Sequence, residues 1–217
     1  MESEPSERLE AARREMVRAG LRGRGIKDER VLAAMERVPR ERFIPESFRA
    51  AAYADRPLPI GLEQTISQPL MVAAMLEALE LRGEERVLEV GAGSGYLAAL
   101  LGELAREVIA VEIIPELAAR ARQTLAELGV TNVRVELGDG GVGYPSAAPY
   151  DAIVVSAGAP DVPFELLAEL GPAGRLVIPV GREPQELVRM RRRGATFSRE
   201  SLGSCSFVPL TGARGWE

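Results

Sequence analysis

The stretch "RVLEVGAGSGYLAALLGELAREVIAVEI", Arg86 to Ile113, decides the architecture of this chain. "RVLEVG" is a short β-rich run that stops at glycine, "GYLAALLGELA" has helical apolar spacing, and "EVIAVEI" is a second β-rich run. Strand, glycine turn, helix and strand in that order make a βαβ unit. The alternation continues outward. "PELAARARQTLAELG" is a helix closed by Gly129, "VRVELGD" a strand, "YDAIVVSAG" a strand, "FELLAELG" a helix and "GRLVIPVG" a strand, with "QELVRMRRRG" and "SLGSCSFVPLTG" as late strands. The fold class is α/β: a doubly wound, mostly parallel sheet with helices on both faces.

Upstream, residues 6–38 read as helices. "SERLEAARREMVRAGLRGRG" carries Leu9, Ala12, Met16, Val17 and Leu21 near helical spacing, and "KDERVLAAMERV" repeats the pattern after an Asp28 cap. Pro39 and Pro45 stop any helix. "DRPLPIGLEQTISQP", Asp55 to Pro69, is stiffened by three prolines and reads as a shaped polar loop rather than a strand or helix interior. A further helix, "QPLMVAAMLEALEL", carries Pro69 in its first turn. No repeat or low-complexity linker divides the chain. It is expected to form a single domain over 1–217, with 1–70 as helical cap and substrate loop and 71–217 as the α/β core.

With 217 residues, 46% apolar and 27% charged, the chain has globular composition. There is no histidine, which excludes His-based triads, His metal sites and imidazole acid–base catalysis. The lone Cys205 has no partner for a disulfide or a metal site, and the expected reading is a small half-buried residue in a reducing compartment. The net charge of −5 argues against a general nucleic-acid binder, and the basic run Arg189 to Gly194 is read as a charged strand edge. No apolar run approaches the ~20 residues that span a bilayer, and the N-terminus is polar, so a cytoplasmic location without membrane contact is expected.

In an open α/β sheet, ligands bind beyond the carboxyl ends of the strands. There "EVGAGSGY" places Gly91, Gly93 and Gly95 in the first βα turn. Position 96 is Tyr, so the spacing departs from the dinucleotide fingerprint. Glu112 ends the second strand about 20 residues on, where a carboxylate can accept two bonds from a ribose diol. Asp139 and Gly140 end the third, and Asp139 can accept from an exocyclic amino group. Three such features on one rim indicate an adenosine-like ligand.

"VLEVGAGSGY", "VIAVEI", "GDG" and "LGPAGRLVIPVG" resemble the motifs of S-adenosylmethionine-dependent class I methyltransferases, which have a Rossmann-like fold. With "VPRERFIP", "RPLPIGLEQTISQP", "YDAIVVSAGAP" and "FVPLTG", the chain is similar to the protein-L-isoaspartate (D-aspartate) O-methyltransferases over about residues 13 to 212. The resemblance implies an N-terminal helical cap and C-terminal antiparallel strands. It also implies methyl transfer from S-adenosyl-L-methionine to the carboxylate of isoaspartyl residues in proteins and peptides, leaving S-adenosyl-L-homocysteine. Gly91, Gly93, Ser94 and Gly95 would hold the methionyl part, Glu112 the ribose, and Asp139 with Gly140 the adenine. Ser67 would be the active-site residue, Gln64, Thr65 and Ile66 would bind substrate, and Thr211 would approach the cofactor. No metal is implied, and a monomer is expected.

A carboxylate nucleophile is ionised at neutral pH and needs no general base, which suits a chain without histidine. Ser67 could instead cap the helix that begins at Pro69. Two other readings stay open on the residues alone: a class I methyltransferase for another carboxylate or amine, and an adenosine-ligand sensor without catalysis. Where the family has a small or glycine residue, this chain has Glu63, which is expected to point to solvent.

Overall fold

The computed structural model describes residues 5–216. Helix α1 (Pro5–Glu15) runs on through a π-helical turn (Met16–Leu21) and is followed by α2 (Glu29–Arg37). Asp28 caps α2 as expected, its carboxylate accepting from the amides of Arg30 and Val31 at 2.9 and 3.3 Å. These are donors that the first helical turn leaves free. Pro39 and Pro45 end α-helix, and each introduces a 3-10 turn (Arg40–Phe43 and Glu46–Ala51).

The proline-bounded stretch is not the irregular loop that its composition suggests. It is a β-hairpin of β1 (Leu58–Gly61) and β2 (Gln64–Ile66), antiparallel, with Leu58 opposite Ile66 and Pro59 opposite Thr65. The turn residues Leu62 and Glu63 have φ of 54° and 60°. Positive φ at both central positions matches the twist of the flanking strands, and it is usually supplied by Asn-Gly or Asp-Gly. Leu-Glu carries no such signal, and Pro59 is tolerated because a two-stranded ribbon has only edge strands.

Helix α3 (Pro69–Leu79) leads into the core: β3 (Arg86–Val90), α4 (Tyr96–Leu104), β4 (Glu107–Glu112), α5 (Pro115–Glu127) and β5 (Val133–Leu137). Then follow β6 (Tyr150–Val155), α6 (Phe164–Ala168), β7 (Leu170–Val180), β8 (Gln185–Arg193) and β9 (Thr196–Cys205). The seven strands from β3 onward form one sheet in the order β5-β4-β3-β6-β7-β8-β9. The first five are parallel and the last two antiparallel. After β5 the chain crosses back over β3 to lay down β6, so the winding direction reverses between β3 and β6. That switch point opens a crevice at the carboxyl ends of both strands.

Successive strand residues face opposite sides of the sheet, so each strand feeds two cores. On one side, Leu21, Leu32 and Met35 of the N-terminal region pack in one cluster with Leu76, Leu100, Val87 and Val108. On the other, Leu88, Ile109, Ile153, Leu166 and Ile178 form the second. Each fully buried aliphatic side chain contributes roughly 1.5–3 kcal/mol.

The arginine run is not on the sheet edge. It lies on β8, between β7 and β9, because β9 begins at Thr196 and takes the edge itself. Arg189 pairs with Glu80 and Glu200, Arg191 with Glu80, and Arg192 stacks on Phe197. "FVPLTG" is not part of that strand: Pro209 bridges to Gly158, and Phe207 exchanges hydrogen bonds with the Gln185 side chain of β8 at 2.8 and 3.0 Å. Cys205 is buried, and burial pushes its thiol up to about 11, with Glu186 adding to the shift.

Candidate active site

The crevice is built on the turn after β3. Gly91, Gly93 and Gly95 have φ of 84°, 54° and 87°. Gly95 heads α4, and a Cβ there would lie 3.1 Å from the Ala121 Cβ, so only glycine lets α4 start so close to α5. Gly140 is fixed by space: a Cβ would come within 2.7 Å of Val90 Cγ1.

Glu112, at the end of β4, is buried. Its Oε2 accepts from the Gly93 amide at 2.7 Å and its Oε1 from the Ile114 amide at 2.9 Å. Each carboxylate oxygen keeps lone-pair capacity toward the cavity. The β1–β2 hairpin lies over the same turn. Ile60 Cδ1 sits 3.5 Å from where a Gly93 Cβ would be, and Arg120 Nη2 of α5 donates to the Ile60 carbonyl at 2.6 Å.

One cavity results. Its wall includes Gln64, Thr65, Ile66 and Ser67 of the hairpin segment, Gly91, Gly93 and Ser94 of the turn, and Glu112, Gly140 and Thr211. Two expected residues stand outside that wall. Gly95 acts through the turn behind it. Asp139 accepts from the Gly141 amide at 2.9 Å and from the Ala213 amide at 2.7 Å, so its carboxylate shapes the turn after β5 and holds the C-terminal tail. The tail is tied further at Gly158, whose amide donates to the Val208 carbonyl at 2.8 Å. The Gly158 carbonyl in turn accepts from the Leu210 amide at 2.9 Å and the Trp216 indole at 2.7 Å. Arg182 lies over the Trp216 ring at 4.9 Å.

Ser67 does not cap α3: Gln68 holds that position without a capping bond of its own, and the free Leu70 amide of the first turn donates instead to the Asp55 carboxylate at 3.0 Å. Glu63 is exposed at the hairpin turn, as expected. The Ser67 carbonyl accepts from Arg40 Nη2 at 2.8 Å, and Arg40 is fully buried. Thr65, Ser67 and Ser156 also border a second groove that continues past Met71, Ser206 and Phe207.

Three residues escape sequence reasoning. Ser156 lines the cavity from the end of β6. Arg40 supports the hairpin from outside it. Glu89 of β3 lines the cavity at 0% exposure, and neither carboxylate oxygen has a partner among the described residues. Burial, with the charge of Glu112 second, holds the Glu89 carboxyl well above the usual carboxylate range. Its signal was visible: one carboxylate inside the otherwise apolar "VLEV".

A doubly wound sheet whose switch point joins a glycine turn, a strand-end glutamate and a second, orphaned glutamate defines a class I S-adenosylmethionine-dependent methyltransferase. The family model for protein-L-isoaspartate(D-aspartate) O-methyltransferase (PCMT) matches residues 11–215. A protein-L-isoaspartate O-methyltransferase of Methanoculleus marisnigri is 54% identical, covering 100% of this chain and 98% of that protein. One from Rhodopseudomonas palustris is 57% identical over 93% and 94%. A solved protein-L-isoaspartate O-methyltransferase superposes with a TM-score of 0.85 at 28% identity, over 93% of this chain and 67% of the other. The chain belongs to the protein-L-isoaspartate(D-aspartate) O-methyltransferase family.

Proposed function

We propose that the chain repairs damaged proteins by moving the methyl group of S-adenosyl-L-methionine to the free carboxylate of L-isoaspartyl residues, acting in the cytoplasm as a monomer without nucleic acid. The observation that carries this reading is Glu89, a buried carboxyl with both oxygens unpartnered in the cavity wall. An orphaned buried acid is costly unless a cation meets it, and the cofactor is cationic at its ammonium and its sulfonium. The residues present therefore fit that cofactor. When bound, it supplies an intrinsically activated methyl group.

The chain's own work is to bind and align. Glu112 keeps acceptor capacity for the ribose hydroxyls, and Gly91, Gly93 and Ser94 leave room for the methionyl part. Gly140, with no side chain, leaves space for the adenine. Asp139 supports that end by holding the tail that carries Thr211 against the cavity. The acceptor needs no base, since a carboxylate with a pKa near 4 is ionised at neutral pH. Ser67, in the wall on the hairpin side, donates its hydroxyl to the acceptor carboxylate, with Gln64, Thr65 and Ile66 beside it. Alignment of this kind is worth about 7–11 kcal/mol. The second groove past Met71 and Phe207 suits the residues flanking an isoaspartyl site in a polypeptide, which a small-molecule enzyme would not require.

The test is transfer of labelled methyl to an isoaspartyl peptide beside its normal aspartyl twin. Label should enter the isoaspartyl peptide alone, and equal labelling, or none in either, refutes the assignment. Ser67→Ala should lower kcat by about 10-fold or more, and full turnover would remove the role given to Ser67.

A further inference from the structure

A buried cation with no ion-pair partner among the described residues stands behind the hairpin. Arg40 is 0% exposed; its Nε donates to the Ala52 carbonyl and its Nη2 to the Ser67 carbonyl, both at 2.8 Å. Nη1 is buried with no partner among the described residues, and the guanidinium lies 5.0 Å over the Tyr96 ring. Asp55, the carboxylate that acts on it, is already paired with Arg24 and accepts from the Leu70 amide. Two carbonyls and a ring orient the guanidinium but do not neutralise it.

A neutral donor would tie down two carbonyls at far lower desolvation cost, so the charge itself calls for a use. The cavity on the other side of Ser67 supplies one. Its wall holds two acidic side chains, Glu89 and Glu112, and among the described residues no lysine or arginine, yet the acceptor is an anion. Arg120 touches the hairpin at Ile60 but is exposed, so solvent and salt screen it. Arg40 is shielded from both, and Tyr96, the ring beneath it, is itself part of the cavity wall.

We propose that Arg40 is a positioning residue for the acceptor: its unneutralised charge, held between the Ser67 carbonyl and the Tyr96 ring, supplies the positive potential that the acidic cavity wall lacks and makes the hairpin side of the cavity selective for a carboxylate. This rests on the methyl acceptor being the isoaspartyl carboxylate beside Ser67. Arg40 acts through Ser67 and Tyr96, so the expected signature is in acceptor binding and not in cofactor binding.

The test is steady-state kinetics of the full chain and of Arg40→Gln, Arg40→Met and Arg40→Lys. The neutral variants should raise KM for an isoaspartyl peptide by about 10–100-fold while KM for S-adenosyl-L-methionine stays within about 2-fold. Arg40→Lys, which keeps the charge, should recover most of that loss. Equal losses in the lysine and neutral variants, or a parallel rise of both KM values, overturn the inference. Against the variants failing to fold stands a measurement on the unaltered protein. A peptide with the isoaspartyl carboxylate replaced by carboxamide should compete with a labelled isoaspartyl peptide at least about 30-fold more weakly than the carboxylate form, and equal competition overturns the inference whatever the variants do. The same assay with the aspartyl twin separates the two ideas: if the unaltered protein methylates no isoaspartyl peptide, the function itself fails and the inference with it.

Discussion

Glu89 and Arg40 are a buried acid and a buried base, each short of partners, on either side of one cavity. Their cost falls on the empty protein and is recovered when ligand arrives. For Glu89 the folded carboxyl titrates above its unfolded value, so its stabilising contribution is complete below the ordinary carboxylate pKa and is lost as pH rises through the raised one. Glu89→Gln removes that loss. The ligand-free variant should gain stability over the parent as pH rises above the ordinary carboxylate range, read as a widening gap in thermal midpoints. The same change should weaken S-adenosyl-L-homocysteine binding by about 30-fold, roughly 2 kcal/mol, in calorimetry. In the parent protein, affinity for that ligand should rise with pH, because a cation favours the ionised carboxyl. A variant that keeps full affinity would remove Glu89 from the cofactor site.

At the scale of elements, the hairpin carries the local strain. Glu63 holds a left-handed backbone that costs a non-glycine residue about 1–2 kcal/mol, against about 0.5–1 kcal/mol for the flexibility that glycine brings to the unfolded chain. Glu63→Gly should therefore stabilise by about 0.5–1 kcal/mol, a rise of about 1–4 °C in thermal midpoint. Its side chain is exposed, so KM for isoaspartyl peptides should move less than about 2-fold, and a larger change would mean that Glu63 reaches the acceptor. The same element marks where sequence stops being informative. Helices and parallel strands were legible because their apolar periods are 3.6 and 2 and glycine or proline punctuates them. The hairpin was hidden because Leu62 and Glu63 are not turn residues and three prolines look like loop. At the site, Glu112 and the glycine turn follow from position in a βαβ unit. Arg40 has no pattern of its own, since its place depends on two carbonyls, Ala52 and Ser67, that lie 12 and 27 residues further along the chain. Asp139 was legible as a polar strand end, but its tie to Ala213 is a contact across 74 residues that no local pattern encodes.

At the scale of the molecule, the reversal of winding between β3 and β6 makes the ligand a structural member. Strand ends, hairpin, α3 and C-terminal tail all converge on the cavity, so ligand should stabilise the whole fold and not one loop. At 100 times its dissociation constant a ligand adds about 2.7 kcal/mol, which for a chain of this size is roughly 5–10 °C in thermal midpoint. S-adenosyl-L-homocysteine should produce that shift and adenosine a smaller one; no shift with either would count against the cofactor assignment. The tail also leaves the protein with a built-in optical probe. Trp216 is the single tryptophan in the chain. Its indole is covered by Arg182 and tethered to the carbonyl of Gly158, two residues along the chain from Ser156 in the cavity wall. All tryptophan emission therefore originates at the clasp that keeps Thr211 in position, and its colour and intensity report, without any label, whether that clasp is fastened.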